Sequence, residues 1–264
     1  MKLYLQRIFI LLFCSASINL FSQSLGNNTC ATAVTVPTTG VCVTGNNNTA
    51  TSTGDGTASC FTVENGVWFK FVAPASGIVD ITTSDVSTNF DTQLTLYSGT
   101  CGSLIELDCD DQSGTLPNSA LIHAECLTPG QTYYVMLDGY AGDIGTFCIK
   151  ITTVSNPIND FCTCATTLPL NGTCLTNQTT VGATDGWTGI VGCQSGNNPE
   201  VWYTFVADSS SVTFNVTAGT MGGNIEMILG EAPNCSATFT TIGSYCAPSV
   251  SSHTILNLTI GATY

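Results

Sequence analysis

Positive charge is almost absent from this 264-residue sequence, which has four lysines and arginines against eighteen aspartates and glutamates. Two of the four basic residues, Lys2 and Arg7, precede the first apolar run. If this N-terminal segment, with Lys2 and Arg7, is removed, the remaining chain carries eighteen acidic residues against two lysines, a net charge of −16. Binding to nucleic acid requires clustered lysine or arginine opposite the phosphates. We expect neither nucleic acid nor an anionic lipid surface as a partner.

Long apolar runs are missing as well. The uninterrupted apolar run at the N-terminus, residues 8–13, is shorter than the roughly 20 residues that a membrane-spanning helix needs. It follows Lys2 and Arg7 and precedes small residues that begin at Ser22, which is the order of a secretory signal. We therefore assign residues 1–24 to a signal peptide, expect no transmembrane segment, and place the product outside the cell or on its surface.

Motifs for catalysis and for zinc binding are scarce. The sequence contains no CxxC, HExxH or GxSxG pattern, and its two histidines, His123 and His253, do not occupy equivalent places. Zinc sites and hydrolase active sites usually carry such patterns. We expect no enzyme activity in this chain.

Cysteine, in contrast, is abundant, with fourteen residues in the chain. In an exported protein such a density indicates disulfides. Removal of the signal peptide takes Cys14 with it, so an odd number remains and at least one thiol has no partner within the chain.

The sequence repeats itself. Residues 67–73 recur as residues 201–207, and residues 127–133 recur as residues 258–264, with several cysteines in matching order between them. Such self-similarity indicates homologous structural units. We place a first unit at residues 25–154 and a second at residues 155–264, and we expect the second to be incomplete because the sequence stops within its counterpart of a strand.

Short apolar runs separated by Gly, Asn, Pro or Ser fill the first unit, and threonine is frequent. These features favour strands and turns, and no stretch shows a sustained helical period. About seven such runs in one unit predict a β-sandwich. The fold class is therefore all-β, with two tandem sandwiches.

Loop lengths suggest three disulfides. Cys101 with Cys109, and Cys235 with Cys246, would each close a short loop between neighbouring strands. Cys126 with Cys148 is a further pair, because neither has a counterpart in the second unit. The sequence leaves open the pairing of Cys30, Cys42, Cys60, Cys162, Cys164, Cys174 and Cys193.

Several motifs resemble those of a known group of domains. Residues 27–30 and 159–162 resemble an N-D-x-C opening, residues 67–74 a VWYxFVAP strand, residues 90–102 an FDTxLxLYSGxCG motif, and residues 127–134 an LTPGxTYY motif. The set is similar to repeats in secreted surface proteins of Bacteroidota that are associated with type IX secretion, and in outline to pre-peptidase C-terminal domains. The resemblance implies a jelly-roll-like, non-catalytic module of a larger exported protein that uses this secretion machinery.

Aspartates crowd the turns of the first unit and suggest a calcium site. Hard carboxylate oxygens from several loops are the ligands that Ca²⁺ prefers. The alternative is a solvated turn in which each aspartate bonds its own backbone. The candidate metal ligands are Asp91, Asp108, Asp110, Asp111, Asp138 and Asp143.

Aromatic residues offer a second kind of site, since sugar rings present apolar C–H faces that stack on aromatic rings. We take Tyr134 and Tyr140 as candidate ligand-binding residues. The predicted function is an extracellular module for adhesion or binding, with a glycan or a protein as its ligand. The alternative is an accessory domain of an exported hydrolase.

Overall fold

The computed structural model describes residues 26–52, 56–170, 172–184, 199–217, 225–231, 235, 240–247 and 250–264. For residues 225–226, 244–247 and 250–251 it describes the backbone alone. The expected signal peptide, residues 1–24, lies outside the described residues and stays a prediction.

Strands dominate the described part of the first unit. They are Val34–Thr35 (β1), Val43–Asn46 (β2), Val67–Val72 (β3), Val79–Thr82 (β4), Thr92–Thr100 (β5), Ser103–Asp110 (β6), Leu121–Ala124 (β7), Thr132–Gly139 (β8) and Thr146–Thr153 (β9). One sheet has the order β1-β3-β8-β5-β6 and the other β2-β9-β4-β7. Neighbours are antiparallel except for the parallel pair β1 and β3. The all-β prediction is confirmed, although the sequence patterns missed the short strands β1 and β2.

The helical content is limited to short turns. Among the described residues, the helices are three 3₁₀ turns of three residues each: Cys30–Thr32, Tyr140–Gly142 and Cys162–Cys164. None of the described helices has the length and apolar character needed to cross a bilayer.

Alternation along the strands creates the core between the two sheets. Phe69 and Phe71 on β3 and Leu94 and Leu96 on β5 all point inward and are at most 1% exposed. They meet isoleucines of the facing sheet in one apolar cluster. Because successive side chains of a strand point to opposite faces, this spacing of two fixes which face is buried.

A second apolar cluster lies on the outer face of the five-stranded sheet. Trp68, Tyr97 and Met136 are almost fully buried there, beneath side chains of the segment 58–63. The rings of Trp68 and Tyr97 lie 5.4 Å apart, and the Tyr97 hydroxyl donates to the Thr57 carbonyl at 2.8 Å. This outer cluster explains why β3 is apolar on both faces.

The described part of the second unit repeats pairings of the first. Its strands are Thr166–Thr167 (β10), Tyr203–Thr204 (β11), Ser211–Thr217 (β12), Ile225–Glu231 (β13), Thr240–Ala247 (β14) and Val250–Leu256 (β15). The parallel pair β10 and β11 corresponds to β1 and β3, and β13 with β14 corresponds to β5 with β6. The register of β5 with β6 shifts after Leu96, and the register of β13 with β14 shifts at a similar place, after Leu229. The boundary between residues 154 and 155 stays a prediction.

The disulfides correct all three predicted pairings. The structure bonds Cys30 to Cys101, Cys42 to Cys148, Cys60 to Cys109, Cys126 to Cys164, and Cys162 to Cys235. The side chain of Cys246 is outside the described part. Cys174 is exposed and is the free cysteine of that part.

Strand geometry explains why Cys101 and Cys109 do not pair. Cys101 precedes β6 and Cys109 lies near its far end, so the strand holds them roughly 25 Å apart at about 3.3 Å per residue. A disulfide requires Cα atoms within about 7 Å. The short sequence separation therefore spans a strand rather than a loop, and the same reasoning separates Cys235 from Cys246.

Candidate functional site

Loops converge at one end of the first unit. The Tyr140 backbone N–H donates to the Asp91 carbonyl at 2.9 Å. The Gly145 N–H donates to the Asn47 side chain at 2.9 Å, and the Thr146 N–H to the Asn89 side chain at 2.8 Å. These bonds fix the loops to a rigid scaffold, which is where binding residues are usually placed.

Asp138, one of the predicted metal ligands, is buried at this end and already has its partners. It is 0% exposed and accepts from the backbone N–H groups of Glu64 at 2.7 Å, Asn65 at 2.9 Å and Gly139 at 2.8 Å. A carboxylate bonded in this way secures a loop. Asp138 therefore holds the segment at residues 64–65 against β8.

Asp110 also has a local structural task. Its Oδ2 atom accepts from the backbone N–H of Ser113 at 3.0 Å and of Leu121 at 2.9 Å. This carboxylate closes the turn after β6 and ties it to the start of β7. Asp110 therefore fits the alternative to a calcium site, in which an aspartate of a turn bonds nearby backbone groups.

Asp91, Asp111 and Asp143 form the remaining acidic group. The pKa of Asp91 is raised above its ordinary value, because burial penalises its charge and the charges of Asp111 and Asp143 repel it. The Gln112 amide opposes this effect by donating to both oxygens of Asp91, at 3.0 and 3.2 Å. One oxygen of Asp111, Oδ1, is buried without a hydrogen-bond partner.

The six predicted aspartates do not form a ready-made metal site. Among the described residues, no three of them bring ligand oxygens within 4.8 Å of one another. The described groups that meet this distance are Cys42 with Asp85 and Cys148, and Glu125 with Cys126 and Cys164. Their cysteines are bonded in disulfides and offer no thiolate to a metal.

The two candidate tyrosines lie apart. Tyr140 is 53% exposed in the 3₁₀ turn after β8, beside Asp91 and Asp143. Tyr134 lies within β8 opposite Lys70 and packs against the outer apolar cluster. Six residues of strand correspond to about 20 Å, so the two rings cannot share one ligand. The acidic group and Tyr140 are hereafter called the loop-end surface, formed by Asp91, Asp111, Gln112, Tyr140 and Asp143.

A separate cleft opens on the flank of the sandwich, between β6 and β7. Each of these strands is at the edge of its sheet. The cleft has a volume of about 460 Å³, which is within the roughly 300–1,000 Å³ of small-ligand sites. Its apolar wall consists of Leu96, Leu107, Leu127 and Tyr133. We call it the flank cleft.

The polar wall of the flank cleft is acidic. It contains Asp108, Glu125 and His123, with Ser98 beside them. Asp108 pairs with Leu96 across the sheet, so its side chain lies on the same face of the sheet as Leu96. The Nδ1 atom of His123 lies 2.6 Å from Asp80 Oδ1.

The start of the second unit borders this cleft. Cys126, in its wall, is bonded to Cys164, and the ring of Phe161 meets that of His123 edge-on at 6.3 Å. Burial raises the pKa of Glu125, and the charge of Asp160 raises it further, whereas His123 lowers it. The lining residues of the cleft belong to the first unit, and residues of the second unit contact two of them, His123 and Cys126.

The sequence patterns did not indicate the flank cleft. His123 and Glu125 are single residues in a short strand and its following loop, and no spacing connects them with Asp108. They meet because two sheet edges face each other, which is a tertiary feature. The sequence does contain the apolar residues Ile105 and Leu107 of β6 beside this cleft. Their exposure, 64% and 47%, is visible only in the structure.

Comparison with known proteins finds a family that the first unit resembles. Residues 26–137 match the model of a galactose-binding domain-like family associated with type IX secretion. No curated protein matches the chain. The match confirms the resemblance to type IX-associated repeats and the sandwich fold, and its description makes the first unit similar to a binding module. Together with the disulfides it indicates an exported protein.

Proposed function

We propose that this chain is a non-catalytic part of an exported protein and that its first unit binds extracellular glycans through the loop-end surface. The observation that carries this proposal is the exposed side chain of Tyr140, in a turn whose backbone bonds to the backbones of Asp91 and Asp143. A sugar presents a C–H face that stacks on an aromatic ring and hydroxyls that donate to carboxylates. The matched family and its galactose-binding-like description support this ligand class.

Calcium is the cofactor that we propose for this surface. Oδ1 of Asp111 is buried without a donor, and burial together with repulsion by Asp111 and Asp143 raises the pKa of Asp91. A divalent cation would remove that repulsion and use the unpartnered oxygen. The three carboxylates are too far apart to share an ion as they stand, so at least one of them must move. Asp143 is exposed, and its side chain can rotate towards a shared ion.

The biological role that we propose is adhesion, at the cell surface or after release. An accessory role in an exported hydrolase would use the same loop-end surface to hold substrate. Both roles therefore require glycan binding at Tyr140, and the test of that binding precedes the distinction between them.

A glycan array with residues 25–264 tests the proposal, followed by calorimetric titration of the sugars that bind. We expect Tyr140→Ala to weaken binding at least tenfold, because the stacking contact is lost. Tyr134→Ala is the matched control, since this tyrosine lies in the outer cluster, and it should leave the affinity unchanged. Absence of binding by the unmodified chain, or equal binding by the Tyr140→Ala variant, would contradict the proposal.

A further inference from the structure

The flank cleft has an excess of negative charge that the described chain leaves unpaired. Its two carboxylates, Asp108 and Glu125, have no lysine or arginine partner among the described residues. The ion pairs of that part of the chain are His123 with Asp80 and Lys150 with Asp85. A cleft lined by one sign of charge beside apolar walls concentrates its field and attracts the opposite charge.

The opposite wall of the cleft is suited to a hydrocarbon stem. Leu96, Leu127 and Tyr133 are nearly buried beneath it, and Leu107 is 47% exposed at its rim. Lysine and arginine side chains bury their methylene stems along apolar surface while the charged head stays with polar partners. An ammonium or guanidinium group on an apolar stem therefore matches both walls of the cleft.

We propose that the flank cleft binds a lysine or arginine side chain presented by a partner protein. The carboxylates of Asp108 and Glu125 accept from its charged head, and Leu107 and Tyr133 contact its stem. His123, held by Asp80 and by the ring of Phe161, forms the side of the cleft nearest the second unit. This site is separate from the loop-end surface, so it goes beyond the proposed glycan binding.

The edge strand β6 provides a place for the main chain of such a partner. Among the described residues, no strand pairs with the outer edge of β6, whose other edge pairs with β5. Exposed Ile105 extends the apolar rim along this strand. An extended segment could add to such an edge and place alternate side chains in the cleft. The acidic residues Glu106, Asp108 and Asp110 on β6 favour a basic segment over a second copy of this acidic chain.

The ion pairs also explain why a partner must supply the cation. Lys150 is engaged with Asp85, and Lys70 lies opposite Tyr134 on the outer face of its sheet. The chain after the signal peptide contains no other lysine or arginine. Neither lysine of the described chain is therefore placed to fill the cleft itself.

Calorimetric titration with two blocked peptides tests this site in residues 25–264. The probes are acetyl-Ser-Leu-Lys-Val-Lys-Ser-amide and the same peptide with glutamine in place of lysine, both at 150 mM NaCl, where the Debye length is about 8 Å. We expect the lysine peptide to bind at least tenfold more tightly than the glutamine peptide. Asp108→Asn and Glu125→Gln should each weaken it roughly three- to tenfold.

Asp208→Asn is the matched control, because it removes one exposed carboxylate in the second unit, away from the cleft. It should leave the peptide affinity unchanged, and thermal unfolding should show that all variants remain folded. Equal weakening by Asp208→Asn would mean attraction by bulk charge only and would overturn the proposal. Equal binding of both peptides, or no binding of either, would also overturn it. Tyr140→Ala separates the two sites, since loss of glycan binding with retained peptide binding leaves this proposal standing.

Discussion

Asn27 and Trp68 hydrogen-bond to each other in both directions. The Asn27 side chain donates to the Trp68 carbonyl at 2.8 Å, and the Trp68 backbone N–H donates to the Asn27 carbonyl at 2.8 Å. Asn159 and Trp202 repeat both bonds, at 2.9 and 2.7 Å. The asparagine of each N-D-x-C-like opening therefore fastens the start of its unit to a tryptophan, which lies within β3 in the first unit and directly before β11 in the second.

Replacement of Asn27 by alanine should destabilise the first unit by about 1–3 kcal/mol, because it leaves a buried carbonyl without its donor. Asn27 is 1% exposed, so water cannot substitute for the lost amide. Urea unfolding of residues 25–264 measures the change. The neighbouring Asn28 bonds Thr51 at an exposed position, and Asn28→Ala should cost less than about 1 kcal/mol. Equal costs for the two variants would contradict a special role for Asn27.

Alternation was sufficient to predict the main strands of the first unit. Residues such as Phe69 and Phe71, or Leu94 and Leu96, recur at a spacing of two because they face a core. The short strands β1 and β2 escaped this method since two to four residues cannot display a period. Tyr133 on β8 follows the same alternation, since it is buried and stacks on Phe71 with the ring centres 5.8 Å apart.

The site could be predicted only in part. Sequence composition drew attention to the aspartates, but the partners of Asp138 and Asp110 are backbone groups that no sequence motif displays. Asp108 and Asp110 are two residues apart, yet one lines the flank cleft and the other closes a turn. Which loop or strand lies beside each carboxylate is a property of the sheet order, and the sequence patterns did not contain it.

Disulfide mapping should reproduce the pairing of the described cysteines. Non-reducing peptide mapping after pepsin digestion at acid pH, which suppresses thiol exchange, should recover Cys30 with Cys101 and Cys126 with Cys164 in linked peptides.

Alkylation before digestion should then modify Cys174 in the same sample, since it is exposed and free. Reduced and fully alkylated protein is the control for recovery of every cysteine peptide. A peptide that links Cys101 to Cys109 would contradict the structure.

The ion pair of Lys150 with Asp85 predicts a pH-dependent contribution to stability. The atoms Lys150 Nζ and Asp85 Oδ2 lie 2.7 Å apart, and Ser87 donates to the same carboxylate from its N–H and its hydroxyl. The bond from Lys150 is the largest cause, and together these groups lower the pKa of Asp85 to about 2. A lowered pKa means that the stabilisation is complete above the unfolded value, about 3.9, and is lost as the pH falls through about 2.

Asp85→Asn should therefore cost about 1 kcal/mol at pH 7, where a partly exposed pair is screened by solvent. The difference from the unmodified chain should shrink below about pH 4 and become small near pH 2. Urea unfolding between pH 2 and pH 7 measures it, with Asp208→Asn as an exposed control. A difference that stays constant over this range would contradict the assignment of the effect to the charge of Asp85.

Variants of two aspartates at the loop end should differ in whether calcium still raises their thermal midpoint. Asp138 bonds three backbone N–H groups, and Asp138→Asn turns an amide NH₂ towards them, at a cost of about 1–3 kcal/mol. The thermal midpoint in a chelator should fall, but the rise on adding Ca²⁺ should persist.

Asp111→Asn should instead remove repulsion on Asp91 in the absence of calcium and abolish the rise in midpoint when calcium is added. Binding to the folded state alone at a hundredfold excess over Kd stabilises by about 2.7 kcal/mol, which such a measurement resolves. An unchanged midpoint of the unmodified chain in millimolar Ca²⁺ would contradict calcium binding. If the rise were lost in Asp138→Asn and kept in Asp111→Asn, the calcium ligand would be Asp138 and not Asp111.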